Sequence, residues 1–453
     1  MLVASPVSFE GINRSDLPAL SNAGRIEQAG SEGVDVGSIR KMRMKLNKPI
    51  QLLAISAASL LAAAFLSACA TLTVDFVYVT CAKAAGPNNY GEVNVFEINS
   101  QSGRMRQIPT SPFFSGGRNP VADVVSADQG TLYVVNRDDN TIVQFTIGTD
   151  GKLYPQNTVN TPGIFPIAVG ASKGFLFVAD TYMPLPTCSP ASPCSGSVAV
   201  FPILTAQQAG ALKPAQIANT LGPAVGNTAI SANYWPLTLT GGAAADVIVP
   251  TAINVASSGS YVYVSGYDAN TSLGYVFGFA PGSDGTLSAL PGFPVQVGAH
   301  PSAIASDSSG AYLYVTDSVQ DVAYGFQIAG GALIPLSGSP YATGSQPSAM
   351  VLDATAKYAI VANTQDSNVT VYSLNAGSLS KLGTYTTGTQ PVAIGIDPSL
   401  NQYVFTANFL GNNVSGFQLN PSDGSLLNSQ FSPSASNPNP TAVAAITHNG
   451  NKK

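Results

Sequence analysis

Charge is what this chain has least of. Only 9% of its 453 residues are Asp, Glu, Lys or Arg, against roughly 25% in an average soluble domain. Beyond Cys69 there are two glutamates, Glu92 and Glu97, and 12 Lys+Arg stand against 19 Asp+Glu, hence a net charge of −7. No basic stripe survives that balance, which excludes a nucleic-acid surface. Histidine occurs twice and cysteine four times, never clustered. An obvious transition-metal site is thereby excluded, and no phosphate-loop or EF-hand spacing is present. What the chain has instead is 44 Gly, 32 Pro, 18 Tyr, 19 Phe and 45% apolar residues. Poor in Glu and Lys but rich in Val, Tyr, Thr, Ser and Gly, this is the composition of strands and turns, long enough for a large core.

The front of the chain reads as an address. Residues 1–41 show no apolar periodicity and are either a disordered extension or an over-long reading of the start, since Met42 or Met44 would begin a signal of normal length. Arg40, Lys41, Arg43, Lys45 and Lys48 form a basic segment before the uncharged QLLAISAASLLAAAFLSA. A basic region followed by an apolar one predicts a secretory signal over 42–68. It ends in Leu66-Ser67-Ala68-Cys69, which resembles a bacterial lipobox. That resemblance implies acylation of Cys69, a linker over 69–75 and an exported chain held at the cell envelope by lipid. A single transmembrane anchor is the alternative for so long an apolar run. Cys188 and Cys194, in CSPASPC, have the spacing of a small loop-stapling disulfide in an exported protein. Cys81 is left over.

A phrase recurs through the rest. It starts at Pro120, Pro166, Pro250, Pro301, Pro347, Pro391 and Pro440, in steps of 46, 84, 51, 46, 44 and 49 residues. Each of the first six is followed by a turn and an apolar run: LYVVN, FLFVAD, YVYVSG, YLYVTD, YAIVAN, YVFTAN. Alternating third runs follow, such as TIVQFTI and VTVYSL, then Asp-Gly turns at 150–151, 284–285 and 423–424 before a short fourth run. Asp-Gly supplies the positive φ of a tight hairpin. The repeat therefore predicts units of four antiparallel strands, A to D. Such sheets bury both faces only when stacked in a ring. Pro440 opens an A strand with no B after it, whereas FVYVT (76–80) and VNVFEI (93–98) read as B and C with no A before them. The last strand should thus complete the first sheet. The prediction is an all-β, seven-bladed β-propeller over 76–447 with a tail at 448–453. The 84-residue step predicts an insertion at about 181–247, which holds the lone Trp235 and whose role is either functional or that of a cap.

The runs YVTC, YVVN, YVTD and IVAN resemble the Tyr-Val-Thr-Asn phrase of the lactonase-type, 6-phosphogluconolactonase-like propellers. The resemblance covers about residues 72–447. It implies a seven-bladed fold whose B–C and D–A loops meet at one mouth, and, where members are enzymes, the opening of a sugar lactone. Converging there would be Arg118, Asn119, Arg137 to Asn140, Asp180 to Tyr182, Tyr267, Asp268, His300, Asp317, Gln346, Asn363, Gln390 and Asn408, the default place for a site. For lactone hydrolysis His300 with Asp317 or Asp268 would supply the base, and Arg118 or Arg137 would hold the oxyanion. A solvated loop His300 and a salt-linked turn at Arg137-Asp138-Asp139 are the plain alternatives. Enzymatic members carry Pro-Arg-His entering strand A. Here the phrases read Pro301-Ser302-Ala303, Pro347-Ser348-Ala349 and Pro391-Val392-Ala393, and none of the seven has Arg or His. Gly170-Ala171-Ser172-Lys173-Gly174 matches G-x-S-x-G by letter but falls in a turn between strands, where no nucleophile elbow forms. The expectation is an envelope-anchored binding or scaffold module, monomeric and without cofactor. Its partner would be an envelope protein, a glycan or a small sugar-like ligand. A lactone hydrolase is the alternative.

Overall fold

The computed structural model describes residues 73–82, 89–99, 101–203, 234–239, 246–256, 258–398 and 403–447. The expected extension, signal segment, Cys69, His448 and the tail lie outside them. Among the described residues every regular element is a strand. The strands form seven antiparallel sheets, each ordered A-B-C-D. Blade two comprises Pro120–Val125, Thr131–Asn136, Thr141–Ile147 and Leu153–Asn160. Blade three comprises Ile164–Ala171, Phe175–Tyr182, Ser197–Pro202 and Tyr234–Pro236. Blades four to seven open with Ile248–Val255, Pro301–Ser306, Pro347–Leu352 and Pro391–Ile396. Each A strand neighbours the next around a closed circle.

Blade one is built from both ends of the chain. Pro440–Thr447 pairs antiparallel with Thr73–Cys81, from Asp75↔Thr447 to Thr80↔Ala442 and, after a one-residue shift, Cys81↔Pro440. Tyr90–Asn99 and Met105–Gln107 complete the sheet. The closure read from the lone final phrase is thus present, and the blade count is seven.

The repeated phrase has a mechanical meaning. B strands such as TLYVVN, YAIVAN and YVFTAN are buried at every residue, because a neighbouring blade covers each face. Their tyrosines carry a hydroxyl that needs a partner once buried. Tyr78 donates to the Gly151 carbonyl, Tyr263 to Gly331 and Tyr314 to Gly377, at 3.1, 2.9 and 2.7 Å, each in the C–D turn of the next blade. Gly151 and Gly331, with φ of 77° and 90°, let those turns bring a carbonyl inward. The hydroxyl after the proline links blades as well. Ser302 donates to the Pro347 carbonyl, Ser348 to Pro391 and Thr441 to Pro120, at 2.5, 2.9 and 2.9 Å. The third of these crosses the seam between the chain ends.

The long third step resolves into parts of blade three. Residues 183–196 form its B–C loop, closed by the Cys188–Cys194 disulfide with Cα atoms 5.5 Å apart. Tyr234–Pro236 supplies its D strand, pairing with Ser197–Ala199, and Trp235 is buried in the core between blades three and four. Residues 204–233, the middle of the expected insertion, lie outside the described residues. Cys81 is unpaired and buried, and burial pushes its thiol up to about 12, so it behaves as a small apolar side chain.

Candidate binding site at the propeller mouth

The B–C turn of each blade meets the D–A connection entering the same blade through backbone hydrogen bonds. Arg137 N–H donates to the Asn119 carbonyl, Ser318 to His300, Thr364 to Gln346 and Phe409 to Gln390, at 2.8 to 3.0 Å. These pairs place the expected mouth residues at one end of the ring.

A second device holds that end together. A buried Asn or Asp stands at the mouth end of the B strand in six blades, as its last residue in Asn136, Asp268, Asp317, Asn363 and Asn408 and two residues before the end in Asp180. It accepts hydrogen bonds from the incoming D–A connection or bonds the neighbouring C strand. Gly344 N–H donates to Asn363 Oδ1 at 3.1 Å, and Gly163 N–H to Asp180 Oδ2 at 3.2 Å. At Gly298 and Gly344 a Cβ would stand 2.2 Å and 2.7 Å from the Asp317 and Asn363 side chains, so only glycine allows so close an approach. Blade one has Cys81 at this place and moves the amide across to Asn94, whose Oδ1 accepts Asn437 N–H at 2.7 Å.

Asp317 carries most in this role. Its Oδ2 accepts Ala299 N–H at 2.6 Å and His300 N–H at 2.8 Å, and its Oδ1 accepts Val319 and Gln320 N–H, both at 2.9 Å. Asp268 accepts Val247 and Asn270 N–H and the Thr271 hydroxyl, at 3.2, 3.1 and 2.8 Å. Burial pushes the Asp268 carboxyl up, but those bonds outweigh it and hold the group below its ordinary value. Both carboxylates are engaged with their own loops. Asp317 approaches His300 through its backbone and not its ring, and Asp268 makes its hydrogen bonds to Val247, Asn270 and Thr271. The His300 ring stacks on Tyr267 with centroids 4.0 Å apart, and its Nδ1 lies 3.3 Å from the Ser318 hydroxyl.

The two arginines differ. Arg118 donates from its backbone N–H and from Nε to Asp139, at 2.7 and 2.6 Å, and its Nη2 adds an ion pair at 2.5 Å. The guanidinium of Arg137 lies over the Phe165 ring, 4.9 Å from its centroid, and Tyr182 stands 6.2 Å from the same ring. The structure therefore groups Arg118 with Asp139, Arg137 with Phe165 and Tyr182, and His300 with Tyr267 and Ser318. No hydrogen bond or ion pair among the described residues joins either arginine to His300, Asp268 or Asp317. Phe165 escaped the sequence reading, although it leads Pro166 just as Asn119, His300 and Gln346 lead their prolines. No cluster of three or more His, Cys, Asp or Glu stands ready for a metal among the described residues. The G-x-S-x-G letters form a turn, where Ser172 Oγ accepts Phe175 N–H at 3.0 Å.

The fold has counterparts in known proteins. The family described as lactonase, 7-bladed beta-propeller, matches residues 88–182 and 282–396. No curated protein sequence matches. Among solved structures, the periplasmic gluconolactonase of Pseudomonas aeruginosa is similar at 19% identity and a TM-score of 0.59, over 82% of this chain and 99% of that one. A Bacteroides fragilis protein suggested to be a 6-phosphogluconolactonase is similar at 19% identity and a TM-score of 0.60, over 83% and 99%. A functionally unknown protein of Desulfotomaculum acetoxidans is similar at 12% identity and a TM-score of 0.55, again over 83% and 99%. By its strand order and its repeated phrase the chain is a seven-bladed β-propeller, and over the matched residues it is similar to the lactonase propellers.

Proposed function

We propose that the chain is an exported, lipid-anchored binding module that holds a sugar-like ligand at the propeller mouth without turning it over. One observation carries this reading. The carboxylates that would have to activate water are committed to backbone N–H groups, four of them on Asp317 alone. A general base needs a lone pair directed at the proton it removes. The His300 ring has a hydroxyl and an aromatic face for neighbours, with no carboxylate orienting it. In three blades the position after the proline also supports the reading, because Ser302, Ser348 and Thr441 use their hydroxyls to link blades. What remains accessible at the mouth are aromatic faces and polar edges, which suit the C–H faces and hydroxyls of a sugar.

Export rests on the basic-then-apolar segment ending at Cys69. The periplasmic location of the Pseudomonas aeruginosa gluconolactonase agrees with it. The activity that protein's name carries is the competing reading. The test is a lactone-opening assay of the purified chain with gluconolactone and its 6-phosphate. The expected result is no rate above spontaneous opening. Turnover that disappears in His300→Ala would replace the binding module with a hydrolase.

A further inference from the structure

Arg137 stands at the start of the blade two B–C turn, and its root is fixed by its N–H bond to the Asn119 carbonyl at 3.0 Å. Its guanidinium lies on a ring contributed by the next blade. Its Nε is shielded from solvent and has no hydrogen-bond partner. Neither neighbouring acid reaches the guanidinium. Asp139 is bound to Arg118, and Asp138 accepts from Asn119 Nδ2 at 3.1 Å. Among the described residues, Arg118 and Arg137 are the cations of the B–C and D–A segments, and Arg118 is neutralised by its ion pair. Arg137 keeps an uncompensated charge at the mouth of a chain that is otherwise net negative.

The ring beneath it is held in an uncommon backbone. Phe165 has φ of +58°. A bulky side chain there costs on the order of 1 kcal/mol or more. The conformation is imposed from both sides, since Phe165 N–H donates to Asn140 Oδ1 and its carbonyl accepts the Thr181 hydroxyl, both at 2.7 Å. Asn119, Gln346, Gln390 and Asn439 take the same conformation at the same place in other blades. Blade three alone among these seats an aromatic ring there. A guanidinium seated over an aromatic face can still present its terminal N–H donors as the fork that fits a carboxylate.

We infer that Arg137, seated on Phe165 beside Tyr182, is the recognition point for a carboxylate carried on a sugar ring, so that the ligand of this module is a uronate-bearing glycan. The inference rests on the binding-module reading and names its ligand class. The guanidinium, seated on Phe165, takes the carboxylate, and the neighbouring Tyr182 ring offers an apolar face to the pyranose. The experiment is calorimetric titration of the intact mature chain with three probes: a galacturonate trimer, a neutral galactose trimer and glucose 6-phosphate. The galacturonate trimer should bind best. Arg137→Ala should weaken it by about tenfold or more, the scale of one charge-assisted, bidentate contact. Arg137→Lys should fall between, because it keeps the charge and loses the fork, and it controls for folding. Arg118→Ala should leave the affinity within about twofold, its charge being already paired. Equal binding of the neutral trimer, unaffected by Arg137→Ala, overturns the carboxylate point and leaves the binding module standing. Tighter binding of the sugar phosphate overturns the uronate class. Silence from all three probes overturns both readings.

Discussion

The mouth has two arcs built on one backbone. In the arc of blades six, seven and one, the residue leading each proline is Gln346, Gln390 or Asn439, with φ of 52°, 61° and 56°. Each has its N–H held by the preceding blade's B–C turn, from Asp321 Oδ1 at 2.7 Å, Ser367 Oγ at 3.3 Å and Asn412 Oδ1 at 2.9 Å. In the other arc Phe165 keeps the conformation and the clasp but carries a ring. His300 departs further. Its N–H turns to Asp317 of its own blade, and its ring stacks on Tyr267. The latch is a backbone device, so the lead side chain can vary without cost to ring closure. One arc, with Asn119 of blade two beside it, uses a polar residue that tolerates the left-handed region, and in the other arc blades three and five carry a ring at the same place.

The contrast breaks hardest at Asp317. Asp317→Ala leaves four backbone N–H groups without their acceptor, and a buried unsatisfied donor costs about 1–3 kcal/mol. The contributions are not additive, and a loss of about 3 kcal/mol or more in urea unfolding is expected. Asp317→Asn should lose somewhat less, because its amide oxygen keeps one pair of N–H groups while its N–H₂ faces the other pair. Equal losses in the two variants would mean that the latch is not what the carboxylate provides.

A second contrast lies between acids that hold backbone and acids that do not. Asp353 accepts Lys357 and Tyr358 N–H at 2.7 and 2.6 Å in a turn of blade six. Asp75, on the seam strand, lies fully buried beside Asp397 of blade seven. Burial first, and then the Asp397 charge and hydrogen bond, push the Asp75 carboxyl up to about 8. Burial likewise pushes Asp123 to about 7, and also Asp180, which holds the Gly163 N–H but is more strongly affected by its burial. A raised folded-state value means that the native chain retains protons the unfolded chain has released. The stabilisation is fully present below the ordinary carboxyl value near 4, erodes as pH rises and is gone above about 8. The urea midpoint should therefore fall between pH 5 and pH 9, and Asp75→Asn should flatten part of that fall. A midpoint that rises over this range in the native chain would remove Asp75 as a protonated seam residue.

The fold was legible because its signal is repetition. Seven proline phrases and an unpaired last strand determine the blade count without any contact being known. The mouth was legible only as a set of positions. Sequence spacing brought Asp268, Asp317 and His300 to one end, but not the direction of each side chain. In Asp317 the carboxylate turns back to its own loop, an outcome decided by four N–H groups that no residue letter reveals. Phe165 could have been found from the pattern itself, as an aromatic where Asn and Gln otherwise lead. The Asp75–Asp397 approach could not, because it joins chain segments more than 300 residues apart across the seam.

The smallest effect is the most discriminating between the arcs. Phe165→Asn gives blade three the lead residue of the polar arc. Asn enters the left-handed region more readily, which should return part of the roughly 1 kcal/mol that Phe165 costs there. Against that stands the loss of the Arg137 contact, worth about 0.5–1 kcal/mol at a partly exposed site, and of the tilted contact with Tyr182. The two terms oppose each other at similar size, so stability should move by no more than about 0.5 kcal/mol. Binding has no such compensation, since the guanidinium loses its aromatic platform, and affinity for the acidic sugar should fall severalfold. The reverse exchange, Gln346→Phe, imposes the strain without an arginine above the ring and should destabilise by about 1 kcal/mol. A loss of 2 kcal/mol or more in Phe165→Asn would place the ring in the packing of the blade and leave the two arcs differing in structure rather than in use.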